Sequence, residues 1–396
     1  MQIFNSIGSF FKAKNQPQIL VVLLFVVFAL MLVIENINGR FWHNDFKVMY
    51  SASEAFFNGE QVYGKSFGLS TGFYKYSPES LWLFAPYLLF TFKVAAVLHY
   101  AVILMCTIGL FLNLRKLFST HIFPQLTVKF PSLLFLPALV FSMIHLVREF
   151  HLGNVNVILV FLISWSILAL LEKKETKAGV IMATVVFVKP YFILLVLGFI
   201  LIKSWKSIYA VVLFGLSAIL LFSLFTGFKE SYILHLDWLK SMLDHSSYLT
   251  SNHTVFSLIE THFGLTLPMA NSPIYLFVFG LLFFVFLVVR KSKHEVFDYI
   301  FYTLLILAFV PNVIITDVEH FLFAVPSIVY LTYAIFNSKQ FWWFVPFLLV
   351  LFMFGGDSND LLGKTLSDFV DQKGFLGISN LIILVSSAIL GLKIKK

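Results

Sequence analysis

Charge is spread so unevenly along this chain that it constrains the fold more than any other feature. Apolar stretches alternate with short basic loops and long polar loops, and the polar loops hold nearly all the carboxylates. A hydrophobic fraction of 59% with only 12% charged residues, sustained over 396 residues, is too apolar for a chain whose surface must face water. The bilayer is its solvent. The expected fold is an all-α polytopic membrane protein, one integral membrane domain over residues 1–396 without a soluble module.

The run Ile19 to Ile34 follows Lys12 and Lys14 and ends without a small-residue cleavage site, so it reads as an uncleaved first span with a cytoplasmic amino terminus. Further spans are expected at about 94–114, 131–147, 155–171, 207–226, 274–290, 297–315, 320–336, 341–354 and 376–392. As a single helix, residues 178–202 would hold Lys189 and Pro190 at mid-membrane, at a cost of roughly 2.5–3.5 kcal/mol for the lysine alone. Two short helices meeting at Lys189 and Pro190 and opening outward avoid that cost, because irregular backbone at depth is tolerated where protein or a cavity surrounds it. About twelve crossings result.

Charge counting supports that arrangement: the cytoplasmic loops collect 17 cations against four acids, leaving eleven cations and 16 acids for the outer side. The net charge of +8 is therefore mostly a positive-inside bias and gives no sign of a nucleic-acid partner. Both termini are expected in the cytoplasm, with the outer face in the periplasm of a bacterial inner membrane. The single Cys106 excludes a disulfide within the chain.

The large outer segments are 36–80, 227–273 and 355–375. In the first, Phe46, Met49, Tyr50, Ser53, Phe56 and Phe57 recur at helical spacing up to Asn58 and Gly59. This predicts an amphipathic helix lying on the outer interface with its apolar face down. Asn44 or Asp45 would sit at its N-cap. Asp45 is thus open to two readings, a cap or a general base.

Asn44, Asp45 and Phe46 are followed in order by Tyr50, the Gly59 to Tyr63 stretch, Tyr76-Ser77-Pro78, the turn from His151 to Asn156, Ala178-Gly179, Lys189-Pro190, and His320 before Pro326. In order and context these residues resemble glycosyltransferase family 87, polytopic enzymes of the GT-C superfamily, over about residues 40–335. The resemblance implies a GT-C-like helical bundle. It further implies a hexosyltransferase that moves a hexose, typically mannose, from a polyprenyl-phosphate sugar to a lipid or glycan acceptor at the outer leaflet, with inversion. It would place the general base at Asp45. Two departures stand out. The turn has Gly153-Asn154 where the family often has Gly-Gln, and Asn252 to Ser257 fits the family's Asn-Gln-Ser pattern only loosely.

The chemistry can be argued from the residues as well. A lipid-phosphate sugar carries its own leaving group, so the protein must supply a carboxylate for the acceptor proton and donors or cations for the departing phosphate. Asp45 suits the first role. Lys189 suits the second, against the alternative of a lysine snorkelling to the interface. Arg148 and His151 flank a tight outer turn that could grip phosphate, or they are interfacial anchors. His320 could donate to phosphate or be an ordinary interface histidine. Tyr63 and Tyr76 could stack on sugar or belong to an aromatic belt, and Asn44, Asn154 and Asn252 complete the candidate substrate contacts. Asp317 and Glu319 have the spacing of a divalent-metal pair, but near a span end they read as solvated acids. A metal-independent mechanism without a separate cofactor is expected, with membrane lipids, the lipid-linked donor and a glycolipid or glycan acceptor as partners. A transporter or lipid flippase, and a non-catalytic subunit of an envelope-assembly complex, are the competing readings.

Overall fold

The computed structural model describes residues 16–68, 72–126, 134–244, 251–268, 272–290, 295–314 and 317–393. The basic positions Lys12, Lys14, Lys129, Lys291, Lys293, Lys395 and Lys396 lie outside them, as does part of the 227–273 segment. Apart from an isolated bridge between Ser66 and Phe73, regular structure among the described residues is helical.

Helices of eight residues or more are numbered in chain order. They are α1 Gln16–Ile37, α2 Asn44–Phe57, α3 Phe92–Lys116, α4 Met143–Leu152, α5 Asn156–Leu171, α6 Glu175–Val188, α7 Leu194–Leu201, α8 Trp205–Thr226, α9 Phe228–Asp244, α10 Val255–Phe263, α11 Ser272–Arg290, α12 Glu295–Val313, α13 Val325–Ser338, α14 Phe344–Gly355, α15 Lys364–Gln372 and α16 Phe375–Lys393. Among the described residues six helical stretches are long and apolar enough to cross a membrane, or seven if the bent pair α4 and α5 is one span. Counting the shorter apolar helices Pro190–Leu201, Pro273–Val289 and Phe341–Gly355 as crossings brings the total among the described residues to at most ten, short of the twelve expected.

The stretches differ in how much protein surrounds them. In Glu295–Val313 and Val318–Ser338 83% of the apolar window is buried inside the molecule, against 17% in the first span and 22% in α8. The central pair is therefore enclosed by α4, α5, α7, α11 and α16, while α1 and α8 present their apolar sides outward, to lipid.

The break in 178–202 falls where the sequence places it. Helix α6 ends at Val188, Lys189 is extended at φ −132° and ψ 96°, and Pro190 starts a 3-10 turn, Pro190–Ile193, leading into α7. Proline has no N–H to continue the helix and holds its predecessor out of the α region.

The helix predicted from Phe46 to Phe57 is α2, closed by Asn58 and by Gly59 at φ +71°. Two expectations for it are corrected. Its apolar face is not bare toward lipid but packs on Leu81–Phe84, Ala85–Leu89, α3 and α4, with the Tyr50 hydroxyl donating to the Phe90 carbonyl at 2.9 Å and Ser53 to the Leu81 carbonyl at 3.0 Å. Neither Asn44 nor Asp45 is its N-cap. That position is His43, in the left-handed region at φ 44° and ψ 49°, with no side-chain cap bond, which puts Asp45 inside the first turn.

Between α4 and α5 the chain bends by 112° at Gly153, whose φ is +68°. A Cβ there would lie 2.8 Å from both His43 Nδ1 and Phe46 Cβ. Left-handed backbone costs about 1–2 kcal/mol for a side-chain-bearing residue, and forced overlap adds roughly 1–3 kcal/mol. Gly153→Ala is expected to lower the thermal unfolding temperature clearly, whereas Gly215→Ala, whose nearest new contact is 4.0 Å away, should leave it near wild type.

Candidate active site at the α4–α5 turn

The turn Gly153 to Asn156 organises a buried polar cluster from four separate parts of the chain. Glu149, one turn before the end of α4, is fully enclosed and accepts from the Val157 amide at 2.8 Å and from Asn156 Nδ2 at 2.9 Å. It thereby satisfies an amide at the start of α5 that has no partner within that helix. Asn156 then presents Oδ1 to Lys189 Nζ at 2.7 Å. Lys189 also meets His320 Nε2 at 2.6 Å and lies 5.3 Å from the Phe323 ring centre. A charged lysine can only donate, so His320 carries its proton on Nδ1, which faces the Asp317 carbonyl at 3.2 Å.

The other half of the cluster turns on Asn154. Its Oδ1 accepts from the Val155 amide at 2.7 Å, and that bond fixes which end of the amide is Nδ2. Nδ2 donates to Asp45 Oδ2 at 2.7 Å and reaches Glu319 Oε1 at 3.3 Å. Asp45 is held from behind by its neighbour Phe46, which is fully buried and stacked on His99 with ring centres 4.3 Å apart. His99 in turn meets the Gly153 carbonyl at 3.0 Å and the Tyr87 hydroxyl at 3.2 Å. One buried face thus fixes both the helix that carries Asp45 and the turn that carries its partner.

The electrostatics outside the spans follow from this crowding. Burial first, then the charges of Glu319 and Asp317, push the Asp45 carboxyl up to about 7, against the opposing pull of Lys75 and Lys189. Burial also raises Asp317, with Glu319 adding to it, and lowers Lys75, whose charge Asp317, Asp45 and Glu319 support. Asp45 is consequently a carboxylate that can hold or release a proton near neutral pH.

Of the sequence candidates, Asp45, Asn154, Lys189 and His320 come together here. Tyr76 stands beside them, within electrostatic reach of Asp45. Tyr63 is buried and donates to the Tyr76 carbonyl at 2.7 Å, which makes it a brace for that segment. Asn44 packs against Gly68 at the edge of the loop. Arg148 is exposed midway along α4, within electrostatic reach of Glu319 and Asp317. His151 turns the other way and pairs with Glu35 of α1 at 2.9 Å. Asn252 is in a separate group, donating to Asp371 Oδ2 at 2.9 Å beside a His253–Asp371 contact of 3.1 Å.

The reading of Asp317 and Glu319 as solvated acids is corrected for Glu319, which is 1% exposed. Glu149, Asn156, Glu319 and Lys75 were not singled out as site residues. A carboxylate inside the apolar run Met143–Leu152 was the available signal for Glu149. Among the described residues no group of three or more His, Cys, Asp or Glu side chains is arranged to hold a metal ion.

The family model for glycosyltransferase family 87 matches residues 73–310, more than half of the chain. That stretch contains Lys75, Tyr76, Glu149, Asn154, Asn156 and Lys189, while Asp45, Glu319 and His320 lie outside it. No match is found among curated proteins.

Proposed function

This chain belongs to glycosyltransferase family 87, and from that membership we propose that the cluster around Asp45 and Lys189 is the centre of an inverting hexosyl transfer at the outer face of a bacterial inner membrane. That the protein is a membrane glycosyltransferase follows from the family and from the apolar helices. The donor in this reading is a polyprenyl-phosphate hexose, mannose first, and the acceptor a lipid or glycan hydroxyl. The bundle is of the GT-C kind.

The observation that carries the reading is that the Asp45 carboxylate and the Lys189 ammonium share one cluster while each is bonded to neutral partners. Asp45 is bonded through Asn154, and Lys189 through Asn156 and His320. In a single displacement the acceptor oxygen attacks the anomeric carbon, its proton passes to Asp45, the bond from that carbon to the phosphate oxygen breaks, and polyprenyl phosphate leaves with the electron pair. Lys189, Lys75 and Arg148 would supply the positive charge that favours the departing phosphate, with His320 orienting the Lys189 ammonium. These three cations take the part that a divalent ion plays in other sugar transfers, and the proposed mechanism needs no metal.

The test is incubation of purified protein in nanodiscs with radiolabelled polyprenyl-phosphate mannose, the glucose analogue in parallel, a membrane glycolipid extract, and an Asp45→Asn control. Donor consumption that disappears in the control supports the proposal. Folded protein that consumes neither donor overturns the choice of donor.

The pH dependence has a defined sign. A general base works only when ionised, and the Asp45 carboxyl is raised from 3.8 to about 7. Turnover per encounter, kcat/KM, is therefore expected to rise with pH through a limb near 7 and to fall about tenfold per unit well below it. A profile flat from pH 5 to 8 would remove Asp45 from the role of base.

A further inference from the structure

Helix α9, which follows the lipid-facing α8 after a single glycine, has three distinct faces. At about 100° per residue, Phe228, Leu239, Tyr232, Leu243 and Leu236 fall within an arc of about 80°, and all are exposed, from 47% at Leu236 to 70% at Leu243. The next arc carries Lys229, Lys240, Asp244, Asp237 and Glu230. On the remaining arc, Ser231 and Leu234 are buried and three side chains grip the loop that carries Lys75 and Tyr76. Trp238 Nε1 donates to the Lys75 carbonyl at 3.1 Å, Ser241 approaches the Tyr74 carbonyl at 3.5 Å, and His235 Nε2 meets Glu79 Oε1 at 2.8 Å. His235 Nδ1 faces the Ser231 carbonyl at 2.7 Å, so both ring nitrogens donate and the ring holds its second proton.

We propose that α9 lies in the headgroup layer of the outer leaflet, its exposed apolar arc in contact with lipid, and that it thereby fixes the Tyr74 to Glu79 segment of the active site relative to the membrane surface. Three observations choose lipid over another protein as the occupant. The exposed apolar residues at the end of α8, Leu220, Leu221, Leu224 and Phe225, are followed along the chain by exposed Phe228, the first residue of the arc. Only 22% of the apolar window of α8 is buried, so that surface already faces hydrocarbon. The charged arc adjoins the apolar one on the side away from the protein, the arrangement of a helix lying in an interface rather than one covered by a second protein surface. The role given to the segment rests on the functional reading above, whereas the position of α9 does not.

A consequence is that the backbone of Lys75 is held by a helix whose other side senses lipid packing. Substrates whose reactive groups sit at a fixed height above the hydrocarbon would then meet the site at a fixed depth.

The position is tested with an environment-sensitive fluorophore on Leu239→Cys, and separately on Lys240→Cys, in a Cys106→Ala background. The proteins are placed in phosphatidylcholine nanodiscs doped with either a headgroup nitroxide lipid or a 12-position acyl nitroxide lipid. Quenching at position 239 should be at least about twofold stronger from the headgroup probe than from the acyl probe, and stronger than at position 240. No quenching, equal quenching at both positions, or stronger quenching by the deep probe would overturn the placement; the first is also what a second copy covering the face would give. The coupling is tested by hydrogen exchange of residues 74–80 in a Leu236→Ser, Leu239→Ser protein whose exchange elsewhere matches wild type. Exchange there should rise at least about tenfold, and unchanged exchange would sever the link. Neither measurement needs transfer activity, so failure of the transferase reading and failure of this one are separable.

Discussion

Asp45→Asn is expected to lower the transfer rate by about 10²–10⁴-fold, the range for loss of a general base, while donor binding stays within a few-fold of wild type. The substitution is nearly isosteric. The bond from Asn154 Nδ2, now 2.7 Å to the carboxylate, can be made to the new amide oxygen, and Phe46 and His99 are untouched. The same change should make the protein more stable above neutral pH. A carboxyl raised from 3.8 to about 7 by burial and by neighbouring acids is penalised when ionised in the fold, so its contribution to stability is lost as pH rises from about 4 through 7. The asparagine has no such loss. Thermal unfolding in detergent at pH 6 and pH 8, alongside single-turnover transfer, checks both parts. An inactive protein that is also less stable at pH 8 would mean that Asp45 holds the fold rather than the proton.

Much of the scaffold was legible because each helix is written locally. Apolar runs of the right length gave α1, α3, α8, α12 and α16, and the lysine followed by proline gave the break between α6 and α7, since no single apolar helix tolerates both at its centre. The period of Phe46, Met49, Tyr50 and Ser53 gave α2. What could not be read was which polar groups meet. Asp45 and Asn154 are 109 residues apart, and Asn154 and Glu319 165. Glu319 beside Asp317 at the end of an apolar run looks solvated until the 3-10 stretch Val318–Ala324 is seen packed on α4 and α5. The N-cap failed for a related reason. Capping preference favours asparagine or aspartate over histidine, but tertiary contacts outweigh it: the His43 ring is fully buried, stacked on Tyr100 with centres 5.8 Å apart and pressed against Gly153. Asp45 is thereby released from a capping role and turned toward Asn154.

The second large effect is expected at Lys189, where fold and function must be separated by a pair of variants. Its ammonium donates to Asn156 at 2.7 Å, contacts His320 at 2.6 Å, and lies within electrostatic reach of Glu149, Glu319 and Asp45. Lys189→Met removes this cation and leaves two carboxylates, Glu149 and Glu319, enclosed without it. Breaking one side of a buried charge system typically costs about 3–5 kcal/mol, so the single variant should express poorly or unfold well below wild type. Transfer lost in such a protein would prove nothing about phosphate. Adding Glu149→Gln removes one buried negative charge while an amide oxygen can still accept from the Val157 amide, so the double variant should recover much of the stability. If Lys189 binds the leaving phosphate, the recovered protein will still fail to bind the lipid-phosphate donor and to transfer from it. If folding and transfer return together, Lys189 serves only as the counter-charge of Glu149, and the phosphate must be met by Lys75 or Arg148. Lys189→Arg bounds the geometry. Charge is kept, but a planar guanidinium cannot occupy the point between Asn156 Oδ1 and His320 Nε2 that the ammonium fills. It should therefore retain more of the fold than Lys189→Met does, and bind donor more weakly than wild type.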